Sequence, residues 1–469
     1  MMRIVRGVLV SASCALLAAC AVGPRYQRPT IDLSAAYKEQ DGWKPSEPND
    51  AIDRGKWWEI YHDDVLNGLE DQINISNQTV LAAAAAVEES RALLRQAQSS
   101  FFPQATLNAS RTRTVSGYTR PDGTGATTTS TVNGLGVSGS WEIDLWGRIR
   151  RQTESDRASL QGSEAALAGA RLAAQGALAT AYFKLRAQDQ LQVILNDIVA
   201  AEQQSLKITE NRYRVGVAAK ADVVSAQTQL LTSQSQQVNA PLQRALLEHS
   251  IAVLVGQQPA NFSITSTAMR SDVPTVPAGV PSALLERRPD VAQAERQVAS
   301  ANAQIGVAIA AFFPTLDITG SDDYRANTIS RLIRTANNVW SVGPALALSV
   351  FDAGLRRAQV AQARALHDQT VDNYREIVLE ALQQVEDDIT TLRVLEQQAV
   401  IEEAAVKAAR EAEALTLNQY KAGTVPYSSV ITAQTTRLNA EETALSVLSS
   451  RLQASVAMVQ ALGGGWHYP

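Results

Sequence analysis

The feature that most restricts the fold is a change of hydrophobic period that occurs twice. "FFPQATLNAS" spans Phe101–Ser110 and "FFPTLDITGS" spans Phe312–Ser321. Each follows a polar, alanine-rich stretch with helical character, Ile75–Ser100 and Asp290–Ala311. Pro103 and Pro314 end those helices, because proline lacks a donor and restricts the residue before it. Beyond Pro103, Ala105, Leu107 and Ala109 alternate with Thr106, Asn108 and Ser110. Beyond Pro314, Leu316 and Ile318 alternate with Thr315, Asp317, Thr319 and Ser321. A helical period has become a strand period of two.

Gly117–Ser130 and Asp322–Asn338, rich in Gly, Thr, Asn and Arg, read as loops, and return strands follow. Leu135, Val137, Trp141, Ile143 and Leu145 oppose Gly136, Ser138, Ser140, Glu142 and Asp144. Trp340, Val342, Leu346, Leu348 and Val350 oppose Ser341, Gly343, Ala345, Ala347 and Ser349. Such two-faced strands suit a soluble sandwich or a membrane barrel with lipid outside and water inside. Phe101, Phe102, Trp146, Phe312, Phe313 and Phe351 gather at the helix–strand junctions, the placement of an interfacial aromatic girdle, and favour the barrel. Four strands cannot sit in lipid as an open sheet, because edge N–H and C=O groups would go unpaired. Membrane barrels need at least about eight strands, so the barrel is expected to be shared between chains.

The whole unit is duplicated. Tyr213 and Tyr420, Gly216 and Gly423, Gly147 and Gly354, and Leu185-Arg186 and Leu392-Arg393 each stand 207 residues apart, and the FFP motifs 211. In each copy a proline-free stretch, Gly147–Arg212 or Gly354–Tyr420, predicts a helix of roughly 100 Å at 1.5 Å per residue. Heptad seams run along both: Leu178, Leu185, Gln192, Val199 and Leu206, then Val371, Val378, Val385, Leu392, Ala399 and Val406. Return helices over Ala221–Val255 and Tyr427–Leu462 are half as long, so two short helices stacked end to end match one long one. The expected divisions are a signal at 1–19, an N-terminal segment at 20–73, repeats at 74–256 and 290–462, a proline-rich connection at 257–289 and a tail at 463–469.

The chain opens "MMRIVRGVLVSASCALLAAC". Arg3 and Arg6 precede an apolar run too short to span a membrane. Leu17-Ala18-Ala19-Cys20 resembles the bacterial lipobox, which predicts acylation at Cys20, and Ala21 permits transfer to an outer membrane. The only other cysteine, Cys14, lies within the signal, so neither a disulfide nor a thiolate metal site is expected. Net charge is −5, which gives no reason to expect nucleic acid. His62, His249, His367 and His467 are not in metal-ligand spacing, and no phosphate loop, nucleophile elbow or nucleotide motif is present. Neither an enzyme nor a cofactor is expected, and any energy for transport must come from a partner.

"CAVGPRYQRP", "KWWEIYHDDVLNGLEDQI" (Lys56–Ile73) and "LLERRPDVAQAERQVASANAQIGVAIAAFFPTLDITGS" (Leu284–Ser321) resemble the outer-membrane factor lipoproteins of tripartite efflux systems, the TolC/OprM-like channels of the NodT type. The resemblance covers essentially the whole mature chain. It implies an α+β membrane protein: a homotrimer whose 12-stranded β-barrel continues into a long periplasmic α-helical barrel. It also implies a place in the outer membrane of a Gram-negative bacterium, a periplasmic adaptor (membrane fusion) protein and an inner-membrane pump of the RND type as partners. Carried over, the adaptor-docking tips are Tyr213, Val215, Gly216, Ala219 and Asp222, and Tyr420, Ala422, Gly423, Thr424 and Val425. Gate rings in the family precede the second tip. The matching "EAEALTLNQY" lacks Asp, leaving Leu415 and Asn418 as ring candidates and Glu411 or Glu413 as sources of charge. Three-fold symmetry would triple Glu142, Asp144 and Asp317 in the lumen and bias the pore toward cations. Two other readings stay open at this point: an outer-membrane channel for protein secretion, and a structural surface lipoprotein with a helical stalk.

Overall fold

The computed structural model describes residues 21–31, 37–38, 54–121, 123–276 and 287–464. The signal at 1–19 and Cys20 lie outside the described residues. A 3-10 segment, Arg54–Tyr61, leads into α1 (Asp64–Ser76) and α2 (Gln78–Ser99). Strands β1 (Gln104–Thr119) and β2 (Gly125–Glu142) follow, then α3 (Arg148–Arg214) and α4 (Lys220–Leu254). The second half repeats the order with α5 (Pro289–Ala310), β3 (Thr315–Ala326), β4 (Asn338–Ala347), α6 (Leu355–Ala422) and α7 (Tyr427–Ala461). Among the described residues no helix is long and apolar enough to cross a membrane.

The helix-to-strand switches fall where the prolines put them: α2 ends four residues before Pro103 and α5 four before Pro314. The first hairpin loop is shorter than its composition suggests. β1 runs to Thr119 and β2 begins at Gly125, so most of Gly117–Ser130 is paired strand. Thr127–Thr131 is β-branched or small, and such residues fit a pleated surface. The turn itself is tight: Arg120 N–H donates to Thr124 O at 2.8 Å and Gly123 N–H to Arg120 O at 2.9 Å. β3 likewise extends past the expected boundary to Ala326, while β2 ends at Glu142, short of Ile143 and Leu145. In the first repeat the expected single helix from Ile75 is broken at Asn77. Its side chain takes the Val80 N–H at 3.0 Å, and its backbone N–H donates to Ile73 O at 3.2 Å.

Two compact units are built from interleaved pieces of both repeats. The first draws on Met1–Thr30, Val87–Ser163 and Ala294–Tyr374. It holds the sheet, whose strand order is β1-β2-β3-β4, all antiparallel. Its helical interior is made of small side chains: Ala158, Val298, Ala299, Ala301 and Ala303 are buried. The segment from Ala21 runs along these helices. Val22 N–H donates to Trp146 O at 3.0 Å, and Arg151 holds the carbonyls of Val22 and Gly23 at 3.1 and 3.2 Å. A Cβ on Gly23 would lie 2.5 Å from the Gly306 Cα, so this approach requires glycine.

The second unit draws on Ile31–Ala86, Glu164–Gln293 and Arg375–Pro469. Its main core gathers Trp57, Trp58, Tyr61, Leu66, Ile73, Leu178, Tyr182, Leu185, Ile251, Val385 and Val456. The two heptad seams thus supply core residues, Leu178 and Leu185 from one and Val385 from the other. The connection between repeats is fastened by ions. Arg186 and Arg244 share the buried carboxylate of Asp189 at 3.0 and 2.7 Å. Arg186 also donates to Thr265 O at 2.7 Å, and Arg244 to Ile264 O. Arg288 ties the start of α5 to the end of α7 through Ala461 O at 3.1 Å.

Candidate functional site

Strand register assigns every sheet side chain to one of two faces. On one face lie Leu107, Leu135, Val137, Trp141, Leu316, Ile318, Val342, Pro344 and Leu346. On the other lie Thr106, Asn108, Ser138, Ser140, Glu142, Asp317, Thr319, Ser321 and Ser341. The polar face is concave: Thr106, Ser138, Ser140, Thr319, Ser321 and Ser341 line a hollow of about 360 Å³. The apolar face is exposed, with Leu107 at 71% and Val342 at 69%. β1 and β4 are the two edges, and neither has a second partner among the described residues.

The aromatic residues sit at the strand ends next to the helices. Trp146 stacks on Phe313 at 4.7 Å, and its ring N–H donates to Pro314 O at 2.8 Å. Arg356 lies over the Phe312 ring at 5.5 Å, while Phe102 and Phe351 are exposed. Trp141, read from sequence only as a strand residue, belongs to this junction: its ring N–H donates to Phe101 O at 2.9 Å.

The three carboxylates expected in a lumen, Glu142, Asp144 and Asp317, have different surroundings. Glu142 and Asp317 are paired neighbours on the polar face. Asp144 lies beyond the end of β2. It accepts the Ile149 and Arg150 N–H groups at 3.1 and 3.0 Å at the start of α3, where an anion also meets the helix dipole. Arg148 grips Glu142 through Nε at 2.9 Å and Nη2 at 2.5 Å. That hydrogen bond, aided by the charges of Glu142, Asp144 and Asp317, holds the Arg148 guanidinium above its ordinary range. Arg150 pairs with Asp144 at 3.1 Å, which leaves Asp317 as the carboxylate of the three without an ion pair among the described residues. Asp352, not singled out in the sequence, does at α6 what Asp144 does at α3, accepting Gly354 N–H at 2.9 Å and pairing with Arg356 at 2.5 Å.

Where α3 and α6 end, the two hairpin turns are built alike. Gly216 and Gly423 have φ of 77° and 81°, which glycine adopts without strain. Val217 N–H reaches back to Arg212 O at 2.8 Å, and Thr424 N–H to Gln419 O at 3.0 Å, the same six-residue closure. Asp222 accepts the Ala219 N–H at 3.3 Å. Arg212 joins the turns: it donates to Lys421 O at 2.7 Å and lies over the Tyr420 ring at 4.8 Å. Tyr420 and Tyr427 meet edge to face at 5.2 Å over Ala226 and Val430. Tyr213, Val215, Ala219, Ala422 and Thr424 are exposed, and Val425 is half-buried. Repeat-equivalent residues therefore differ: Tyr213 is exposed and Tyr420 is 3% exposed.

Glu411, Leu415 and Asn418 are exposed along one face of α6. Glu413 is not available as a ring charge. It is buried and paired with Arg437 at 2.9 Å, which also holds Glu441 at 2.9 Å.

A profile of the outer membrane efflux protein family matches residues 69–257 and 280–464. The chain is 30% identical over 466 residues to the pyoverdine export outer membrane protein OpmQ of Pseudomonas aeruginosa, covering 98% of this chain and 96% of that one. It is 28% identical over 459 residues to the toluene efflux pump outer membrane protein TtgC of Pseudomonas putida, covering 96% and 94%. The solved structure of the outer-membrane channel OprN matches with a TM-score of 0.85 at 29% identity, over 96% of this chain and 100% of that one. With its duplicated helix–strand–strand–helix units and two-faced sheet, the chain belongs to the outer membrane efflux protein family: it has the TolC-like fold and is an outer-membrane efflux component of a Gram-negative bacterium.

Proposed function

We propose that three copies of this chain form one channel, a 12-stranded barrel continued by a periplasmic helical barrel, which passively conducts small molecules delivered by a periplasmic adaptor and an inner-membrane RND pump. The observation that carries this reading is the four-stranded sheet with two open edges and one apolar face. Lipid leaves no unpaired edge, so β1 of one copy must pair with β4 of the next. Four strands per chain make that pairing antiparallel, like the rest of the sheet. The helices support the same assembly: Val224, Leu231 and Val238 recur at seven-residue spacing on α4 and are exposed in the single chain. Such an unpartnered seam fits a neighbouring helix of another copy.

In this channel Phe101, Phe102, Trp146, Phe312, Phe313 and Phe351 form the inner girdle, and Cys20 carries the lipid. The segment from Ala21 is held beside Trp146 of that girdle by the Val22 N–H on Trp146 O. Exposed residues of the two turns meet the adaptor, with Tyr420 holding the turns together from inside. Leu415, Asn418 and Glu411 are the gate candidates. Asp317 sets the lumen charge, partly offset by Arg148 and Arg150. OpmQ and TtgC are named for very different cargoes at nearly equal identity to this chain, which fits a conduit whose pump chooses the substrate. Planar-bilayer recording tests the channel. Discrete conductance steps are expected, enlarged by Leu415→Ser. A protein that folds and inserts but never conducts, in wild-type or variant form, would refute it.

A further inference from the structure

Arg111 and Arg113 break the apolar alternation of β1 on its outward face. They share that face with Leu107 and Val115 and are exposed, and neither has a hydrogen-bond or ion-pair partner among the described residues. Their height follows from the strand. They stand seven and nine residues beyond Gln104, the first residue of β1 after the girdle. At about 3.4 Å per residue and a tilt near 40°, this is roughly 18 and 23 Å, near the upper limit of an apolar band about 25 Å tall. The second hairpin carries its outward aromatics just below them: Trp340, 69% exposed, pairs through Asp322 and Val137 level with Leu107, and Tyr324 pairs through Leu135 level with Ala109. The carboxylate on this face, Asp322, pairs level with Leu107, four positions below Arg111, and is bonded by the Asn338 side chain. Two cations therefore stand uncompensated just above these aromatics, at the upper edge of the apolar band.

We propose that Arg111 and Arg113 bind the phosphate groups of an outer-leaflet glycolipid, the phosphorylated disaccharide head group of lipid A, as a bidentate clamp on the barrel's lipid-facing surface. This rests on the barrel reading above, which sets inside and outside. Guanidinium matches phosphate through paired N–H donors, and the low-dielectric boundary strengthens the charge contact. Free phosphate lacks the acyl chains that hold the head group at this height, so a membrane lipid is the source.

Native mass spectrometry of the full-length protein with diphosphorylated and dephosphorylated lipid A tests the site. The wild type is expected to retain the phosphorylated lipid about tenfold better, and an Arg111→Ala/Arg113→Ala variant to lose that preference. An Arg111→Lys/Arg113→Lys variant should keep part of it, because charge remains while the bidentate geometry goes. Equal retention of both lipids by a conducting wild type overturns the site and leaves the channel standing. Complete displacement by millimolar inorganic phosphate overturns the lipid assignment in favour of a general anion site. Absence of conductance in the wild type overturns the channel reading and this inference with it.

Discussion

Glu70 shows how much a single side chain weighs in this fold. Its side chain is fully buried in α1, and neither carboxylate oxygen has a hydrogen-bond partner among the described residues. Burial, with a smaller push from Asp71, raises its pKa from 4.5 to about 9. Between those values the folded chain keeps a proton that the unfolded chain releases. Stability is therefore intact below the unfolded pKa and declines as pH rises through this window. Glu70→Gln is expected to raise the thermal midpoint near pH 8.5 and to change it little near pH 4.5. Equal shifts at both pH values, by circular dichroism melts, would exclude a buried neutral acid. In the proposed channel, Arg148→Gln should strengthen cation preference and Asp317→Asn weaken it, read as opposite shifts of reversal potential in a KCl gradient. No sequence pattern marked Arg148 as the partner of Glu142. The pair forms only because β2 ends at Glu142 and α3 begins six residues later.

Among the elements, helices were the most legible. The expected Ala221–Val255 and Tyr427–Leu462 became α4 and α7 within one residue at each end, because heptad spacing and the turn glycines both act locally. Strand ends were less legible. Thr127–Thr131 and the flanking glycines look like loop in isolation, and only pairing with Arg113–Gly117 makes them strand. Two substitutions test the helical elements. Leu185→Ala, at a fully buried seam position, is expected to cost about 2–5 kcal/mol by the cavity it leaves, against less than about 0.5 kcal/mol for exposed Val193→Ala. Gly423→Ala forces a side chain into a φ of 81° and should cost about 1 kcal/mol. Denaturant or thermal unfolding of the detergent-solubilised protein reads both. An unchanged midpoint for Leu185→Ala would contradict its place in the core.

At the scale of the whole molecule, the decisive quantity is the pair of unsatisfied sheet edges. Cysteines placed singly along β1 and β4 should give disulfide-linked trimers only when one lies on each edge. Crosslinks stopping at dimers would contradict three-fold closure. Cys20→Ser should abolish acylation, measured by loss of labelled fatty acid. Trimers should survive in the membrane, because the barrel itself is held by lipid.

The sequence by itself determined the duplication, the two proline-marked switches from helix to strand, and the need for strands to be completed by another chain. These follow from local rules: period, proline stereochemistry and the cost of an unpaired backbone in lipid. Only the tertiary structure decided how repeat-equivalent residues diverge. Tyr213 faces solvent while Tyr420 lies beneath Arg212. The tertiary structure also decided that Glu413 is spent on Arg437 while Glu411, on the same helix, stays exposed. The physical reason is that α3–α4 and α6–α7 are alike in sequence and pack against each other. They pack side by side rather than about a two-fold axis, so equivalent positions meet different neighbours: Tyr420 contacts Arg212 and Thr209 of the other hairpin, and Tyr213 lies on the open side.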